Sequence, residues 1–235
     1  VRYYYAEHQA AYQRLAQQGL TQWSDLFGET DEYDVFPNRA FLVQALTRLE
    51  LPHEPDVLEY GCGTGPAACF LAARGFRVDA IDLIPEAIAL ARRFARERGV
   101  NVSFSVQDVC AMVADGKQYD VVLDSYCLQS IVTDTDRAKV LAAVRDRLKS
   151  TGYYVLSTAI HDPDRVYEGD FRYDATTGIC YQAAEPGDDA IQLDGNWYLP
   201  HRRHLRPAAL RAELEAAGLQ VHSQEGGDLI CVRHR

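Results

Sequence analysis

The run Val57-Leu58-Glu59-Tyr60-Gly61-Cys62-Gly63-Thr64-Gly65 passes from an apolar strand into a Gly-x-Gly-x-Gly turn, and a helical stretch opens at Pro66. Glycine lets a ligand approach the backbone where any side chain would clash. The turn and the helix start offer N–H groups to that ligand. A lone Gly-x-Gly is weak evidence. Here it ends the first strand of an alternating α/β series, which is where doubly wound sheets bind ligands.

The alternation extends outward from that turn. Strands are predicted at Asp56 to Tyr60, Phe76 to Asp82, Val102 to Gln107, Tyr119 to Asp124 and Gly152 to Thr158. Helices are predicted at Pro66 to Arg74, Pro85 to about Arg98 and Asp134 to Lys149. This rhythm implies a parallel sheet covered on both faces. It breaks after His161. Two hairpins are predicted next, Phe171–Asp174 against Ile179–Tyr181, and Ile191–Leu193 against Trp197–Leu199 around Asp194-Gly195. A helix from Pro207 to Ala217 follows. Strands near Leu219 to Gln224 and Asp228 to Arg233 are expected to pair antiparallel across Gly226-Gly227. Upstream, Tyr3 to Gln18 reads as a helix with Tyr5, Tyr12 and Ala16 on one face, and Arg39 to Glu50 as a second helix. Thr21 to Asn38 is an acidic, aromatic connection between them. The expected division is a helical lid over 1–38, an α/β core over 39–161, a β-rich substrate cap over 162–203, and the rest of the core over 204–235.

Composition narrows the function classes. The chain has 235 residues, enough for one domain with a modest insertion. Its formal net charge of −10 argues against broad nucleic-acid binding. No apolar run approaches a membrane span, and no signal peptide is visible at the start. Six cysteines stand at 62, 69, 110, 127, 180 and 231, none as Cys-x-x-Cys. They read as free thiols in a reducing cytoplasm.

Two carboxylates extend the glycine turn. Asp82 closes the second strand, 21 positions after Gly61, well placed for a ribose diol. Asp108 closes the third, where it could meet an adenine amine. The set resembles the class I S-adenosylmethionine-dependent methyltransferases over about Arg39 to Arg235. Glu59 to Gly65 matches that family's acid-x-Gly-x-Gly-x-Gly motif. Asp82 matches its ribose-binding acid and Asp108 its adenine-contacting acid, with the Val109 amide beside it. The resemblance implies a Rossmann-like, seven-stranded, mostly parallel sheet with an antiparallel last strand. It implies S-adenosyl-L-methionine as cofactor, S-adenosyl-L-homocysteine as product, and a cofactor site of Glu59, Gly61, Cys62, Gly63, Gly65, Asp82, Leu83, Asp108, Val109 and Asp124. Pro66 stands where a dinucleotide Gly-x-Gly-x-x-Gly motif needs glycine. Three rivals stay open: a non-methylating user of the same cofactor, a non-catalytic adenosyl-ligand sensor, and a nicotinamide oxidoreductase.

The expected reaction is in-line methyl transfer to an N or O atom of a small molecule. Neither Asp/Asn-Pro-Pro-Tyr nor Pro-Cys, signatures of nucleic-acid methylation, occurs. Asp124, His161 and Asp162 could in principle gather around a metal. Thr158-Ala159 stand where catechol-type enzymes carry a further ligand, so no metal is expected. The loop Asp124 to Ser130 should border the acceptor, which makes Tyr126 and Gln129 candidates. His161 is the candidate general base, because imidazole titrates near neutral pH; a hydrogen-bonded loop histidine is the alternative. Tyr181, Trp197 and Tyr198 of the cap would wall an aromatic acceptor. The tyrosines at 3, 4, 5 and 12 either close its other side or simply pack. Arg202 and Arg203, in the basic run His201 to Arg206, need an acidic partner, either a cap carboxylate or the acceptor's own. His201 and His204 read as solvated. The expected partner is a small acceptor, aromatic or carboxylate-bearing, with no nucleic acid and no membrane, and the chain acting as monomer or homodimer.

Overall fold

The computed structural model describes residues 2–27, 32–113, 116–167, 169–187 and 189–234; residues 28–31 of the expected acidic connection lie outside them. The core strands are β1 (Asp56–Tyr60), β2 (Arg77–Asp82), β3 (Ser103–Val106), β4 (Tyr119–Ser125) and β5 (Leu148–Ser157). With the C-terminal strands β10 (Leu219–Glu225) and β11 (Asp228–Arg233) they form one seven-stranded sheet, ordered β10-β11-β5-β4-β1-β2-β3. Strand β11 runs antiparallel to both neighbours, and the five core strands pair parallel. The seven-stranded expectation holds, with strand ends displaced by a few residues at most sites.

Strand alternation sends side chains to two apolar layers. Val57, Val121, Leu123 and Val155 meet α1 (Tyr5–Gln18), α2 (Arg39–Leu46), α3 (Pro66–Ala72) and α4 (Pro85–Glu97) on one face. Leu58, Tyr60, Val122 and Tyr154 meet α5 (Asp134–Arg147) and α6 (Pro207–Ala216) on the other. β1 is buried along its whole length, as a central strand covered on both faces should be.

Helix α1 corrects the expected face. Its buried residues are Ala11, Tyr12 and Leu15, and Ala16 is exposed. The inward stripe follows Tyr4, His8, Tyr12 and Leu15, a helical spacing that starts one residue earlier than expected. α2 ends at Leu46, short of the expected Glu50.

The second region departs more. Strands β6 (Phe171–Asp174), β7 (Ile179–Ala183), β8 (Ile191–Leu193) and β9 (Asn196–Arg203) form both expected hairpins. The β8–β9 turn has Asp194 at φ 49° and Gly195 at φ 85°, the two positive values a tight hairpin favours. The hairpins then join through β7–β9 into one four-stranded sheet, ordered β6-β7-β9-β8. That pairing spans a long loop, and no local pattern announces it. The region leaves and rejoins the core at a narrow stem, where Ile160 bridges Leu205 and the His161 amide donates to the Leu205 carbonyl at 3.0 Å.

Candidate active site

The C-terminal ends of the core strands open into a cavity of about 670 Å³. Its floor is the turn after β1. Gly61, Gly63 and Gly65 all have positive φ, at 60°, 56° and 79°. Two of these glycines are also required by crowding. A Cβ on Gly61 would lie 2.3 Å from Cys127 Sγ, and one on Gly63 would lie 2.7 Å from the Tyr12 hydroxyl oxygen. The turn's amides are less free than expected. Cys62 donates to the Ile81 carbonyl, Gly65 to the Cys62 carbonyl, and Gly63 to Asp82 Oδ2 at 2.9 Å.

Asp82 is held from both sides, because the Ile84 amide donates to its Oδ1 at 2.9 Å. Burial pushes its carboxyl up to about 6, against the amides that favour the charged form. Glu59 is only 1% exposed, and its Oε2 has no hydrogen-bond partner. Burial pushes Glu59 up to about 8, opposed by Ser125 and the Ala68 amide and reinforced by Asp124 and Asp82. Beneath them Asp124 is fully buried and also pushed up to about 6 by burial. Three carboxyls crowd here, and one has an orphaned oxygen. The unpartnered Glu59 oxygen is left to be met by a ligand's donor or cation.

Asp108 lies on the cavity rim after β3. Its Oδ1 accepts from the Cys110 amide at 2.9 Å, and its Oδ2 from Arg2 at 2.8 Å. Arg2 also reaches Asp136 at 2.7 Å, so the N-terminal segment is tied across this rim. The roof is α1 with Trp23 and Phe36. It is linked to the second sheet by Arg202, whose guanidinium grips both carboxylate oxygens of Glu7 at 3.1 and 2.9 Å.

A family profile described as a methyltransferase domain matches residues 57–152. Over 181 residues the chain is 31% identical to a ubiquinone biosynthesis O-methyltransferase of Xanthomonas euvesicatoria pv. vesicatoria, covering 77% of this chain and 68% of that protein. The chain belongs to the class I S-adenosylmethionine-dependent methyltransferases. Solved structures agree on the fold. An S-adenosylmethionine-dependent methyltransferase from Clostridium acetobutylicum superposes with a TM-score of 0.65 at 15% identity, over 95% of this chain and 99% of that one. A Burkholderia thailandensis 1,6-didemethyltoxoflavin-N1-methyltransferase, solved with its substrate and S-adenosylhomocysteine, superposes at 0.61 and 21% identity, over 100% and 91%.

This methyltransferase therefore uses S-adenosylmethionine to methylate a small molecule. The site fits that cofactor on its own terms. The sulfonium and ammonium groups are cationic and suit the unpartnered Glu59 oxygen, and the cavity of about 670 Å³ leaves room for a bulky ligand.

Of the expected cofactor residues, Glu59, Gly61, Cys62, Gly63, Asp82, Leu83, Asp108 and Val109 line the cavity. Gly65 and Asp124 do not. Gly65 caps α3 against the Phe104 ring, 2.9 Å from where its Cβ would be. Asp124 spends its oxygens on the Tyr60 hydroxyl (2.5 Å) and on the Cys127 and Leu128 amides (2.6 and 3.0 Å), so it shapes the loop below the cavity. Tyr126, at φ 66°, and Gln129 line the cavity. Gln129 Oε1 accepts from the Ala159 amide at 3.0 Å.

The acceptor residues need more correction. His161 was expected to face the cleft, but it is not among the lining residues. Its ring stacks on Tyr173 at 4.8 Å, within the second sheet's own aromatic column. Tyr181, Trp197, Tyr198 and Arg203 also lie off the cavity, which β9 reaches only through Arg202. Arg203 binds the Val132 carbonyl and Asp134. Only Arg202 of the basic run lines the cavity. The acids that offset Arg202 and Arg203 come from α1 and α5, not from the cap. His204 is buried, not solvated, and burial lowers it to about 4. Among the described residues, no three His, Cys, Asp or Glu side chains gather as metal ligands, and no helix is long and apolar enough to cross a membrane.

Sequence reasoning missed His8, Trp23 and Arg165, which all line the cavity. The signal for His8 was the Tyr4–His8–Tyr12 spacing.

Proposed function

We propose that this methyltransferase moves the methyl group to an oxygen of a small, planar, aromatic acceptor that carries negative charge. The observation that carries this reading is Arg165. It lines the cavity yet has no carboxylate within ion-pair distance among the described residues. Its guanidinium packs over the Tyr167 ring at 5.4 Å, and with no carboxylate to engage it, it favours an anionic group. Tyr4, Trp23 and Phe36 line the same cavity and supply flat apolar walls. The named activity of the Xanthomonas relative favours oxygen.

In this reading Asp82 binds the ribose hydroxyls, and Asp108 and Val109 meet the adenine. Glu59 faces the cationic end. The bound cofactor supplies an electrophilic methyl on sulfur. The protein aligns the acceptor in line with the S–C bond and excludes water. Tyr126, above the glycine floor, orients the acceptor, and Gln129 fixes the Ala159 edge. Residues 1–38 act as lid and 162–203 as cap, joined through Glu7 and Arg202, over a core of 39–161 and 204–235. Six unpaired cysteines support a cytoplasmic location.

Incubating the protein with methyl-labelled S-adenosylmethionine and a small-molecule cell extract tests the reading. The expected product is a labelled methyl ether on an aromatic, acidic compound. Label confined to nitrogen, or to non-aromatic products, contradicts it.

A further inference from the structure

His161 leaves the cavity without the base expected of it, and another histidine stands inside. His8 projects from α1 into the cavity one turn before Tyr12. Its half-buried ring is fixed between Tyr4, with centroids at 5.6 Å, and Trp23, edge-on at 5.0 Å. No hydrogen bond engages its ring nitrogens among the described residues. The neighbouring carboxylate, Glu7, is drawn off by the Arg202 fork and by His201 at 3.3 Å. The imidazole nitrogens are left free to engage a ligand in the cavity. Burial lowers His8 to about 4, helped by the charges of Arg202 and His201 and opposed by Glu7. At neutral pH the ring is neutral and has a lone pair to offer.

We propose that His8 is the proton acceptor for the methylated hydroxyl. This rests on the aromatic O-methyltransferase reading. The acceptor's O–H proton passes to an imidazole nitrogen of His8 while the oxygen bonds to the methyl carbon. The electron pair of the broken S–C bond stays on sulfur, and His8 then returns its proton to water. Arg202 and Arg165 stabilise the negative charge that develops on the acceptor. A base of this kind matters most when the hydroxyl is a weak acid.

The test, run at about pH 8, compares phenol, with a pKa near 10 like tyrosine, and 4-nitrophenol, a much stronger acid that is mostly ionised there. S-adenosylhomocysteine release is measured for the wild-type chain and His8→Gln. The variant should lose about a hundredfold with phenol and less than about threefold with 4-nitrophenol. Its affinity for S-adenosylhomocysteine, read by calorimetry, should stay within about twofold; His8→Asn substitutes if the Gln variant does not fold. In parallel, phenol added to the wild-type S-adenosylhomocysteine complex should shift the His8 ring-nitrogen resonances, assigned by their loss in the variant. Equal losses with both phenols, no loss, no turnover of either phenol by wild type, or unshifted resonances overturn the proposal. Failure of the wild-type chain to bind S-adenosylhomocysteine overturns the methyltransferase reading instead.

Discussion

Glu59 illustrates how one side chain links fold to function. It is the next-to-last residue of a fully buried strand, so its carboxyl has little water to meet and one oxygen has no partner. With Asp82 and Asp124 it is held above its unfolded value. The folded chain then keeps protons that the unfolded chain gives up, and stability falls as pH rises across that window. The depressed histidines, His8 and His204, act oppositely, but most of their contribution is gained below about pH 6.5 and the remainder by about pH 7.5. From about pH 6.5 to 8 the Glu59 effect should dominate. Urea midpoints of the ligand-free protein should therefore drop over this range, and saturating S-adenosylmethionine should reduce the drop. A midpoint that rises over the same range contradicts this account of the carboxyls. Asp124 shows why local reading has limits. Its place at a strand end was legible, but its commitment to Tyr60, 64 residues away, was not.

At the scale of elements, the loop under the acceptor depends on α5. Arg137 is buried and grips both carboxylate oxygens of Glu213 in α6 at 2.6 Å. Its remaining donors reach the Leu128 and Ile131 carbonyls at 2.8 and 3.0 Å. One guanidinium thus joins two helices to the segment that carries Gln129. Arg137→Met would strand a partly buried carboxylate and two carbonyls, at a cost of about 3–5 kcal/mol. Chemical denaturation should show that loss. Replacing Arg137 and Glu213 together by Met and Leu should recover part of it, because the stranded charge goes too. A single variant as stable as wild type would contradict the arrangement. The helices and strands themselves were legible because their hydrophobic periods are local. The inward face of α1 was not, since Tyr5 and Ala16 fit a helical stripe nearly as well as Tyr4 and His8. The real stripe is the one that buries Tyr4, Tyr12 and Leu15 against the core, and Glu7 beside it meets Arg202, far along the chain.

For the whole molecule, the glycine turn, Asp82 and the alternation of strands and helices were readable because their signals are local, while the order of the strands in the sheet comes from the structure. The acceptor side was not. Its roof is assembled from α1, the stretch around Trp23 and the end of β9 at Arg202, three pieces that meet only in the folded chain. That is why aromatic residues such as Trp197 and Tyr198 looked like pocket walls and prove to lie outside it, while Arg165 went unnoticed. Cofactor binding is the property on which everything else depends. The most direct measurement is titration calorimetry of S-adenosylmethionine into the wild-type chain and Asp82→Ala. The account predicts one molecule bound per wild-type chain, and a loss of at least about tenfold in affinity for the variant. A wild-type chain that is folded and gives no binding heat, or an Asp82→Ala chain that binds as tightly as wild type, would contradict it.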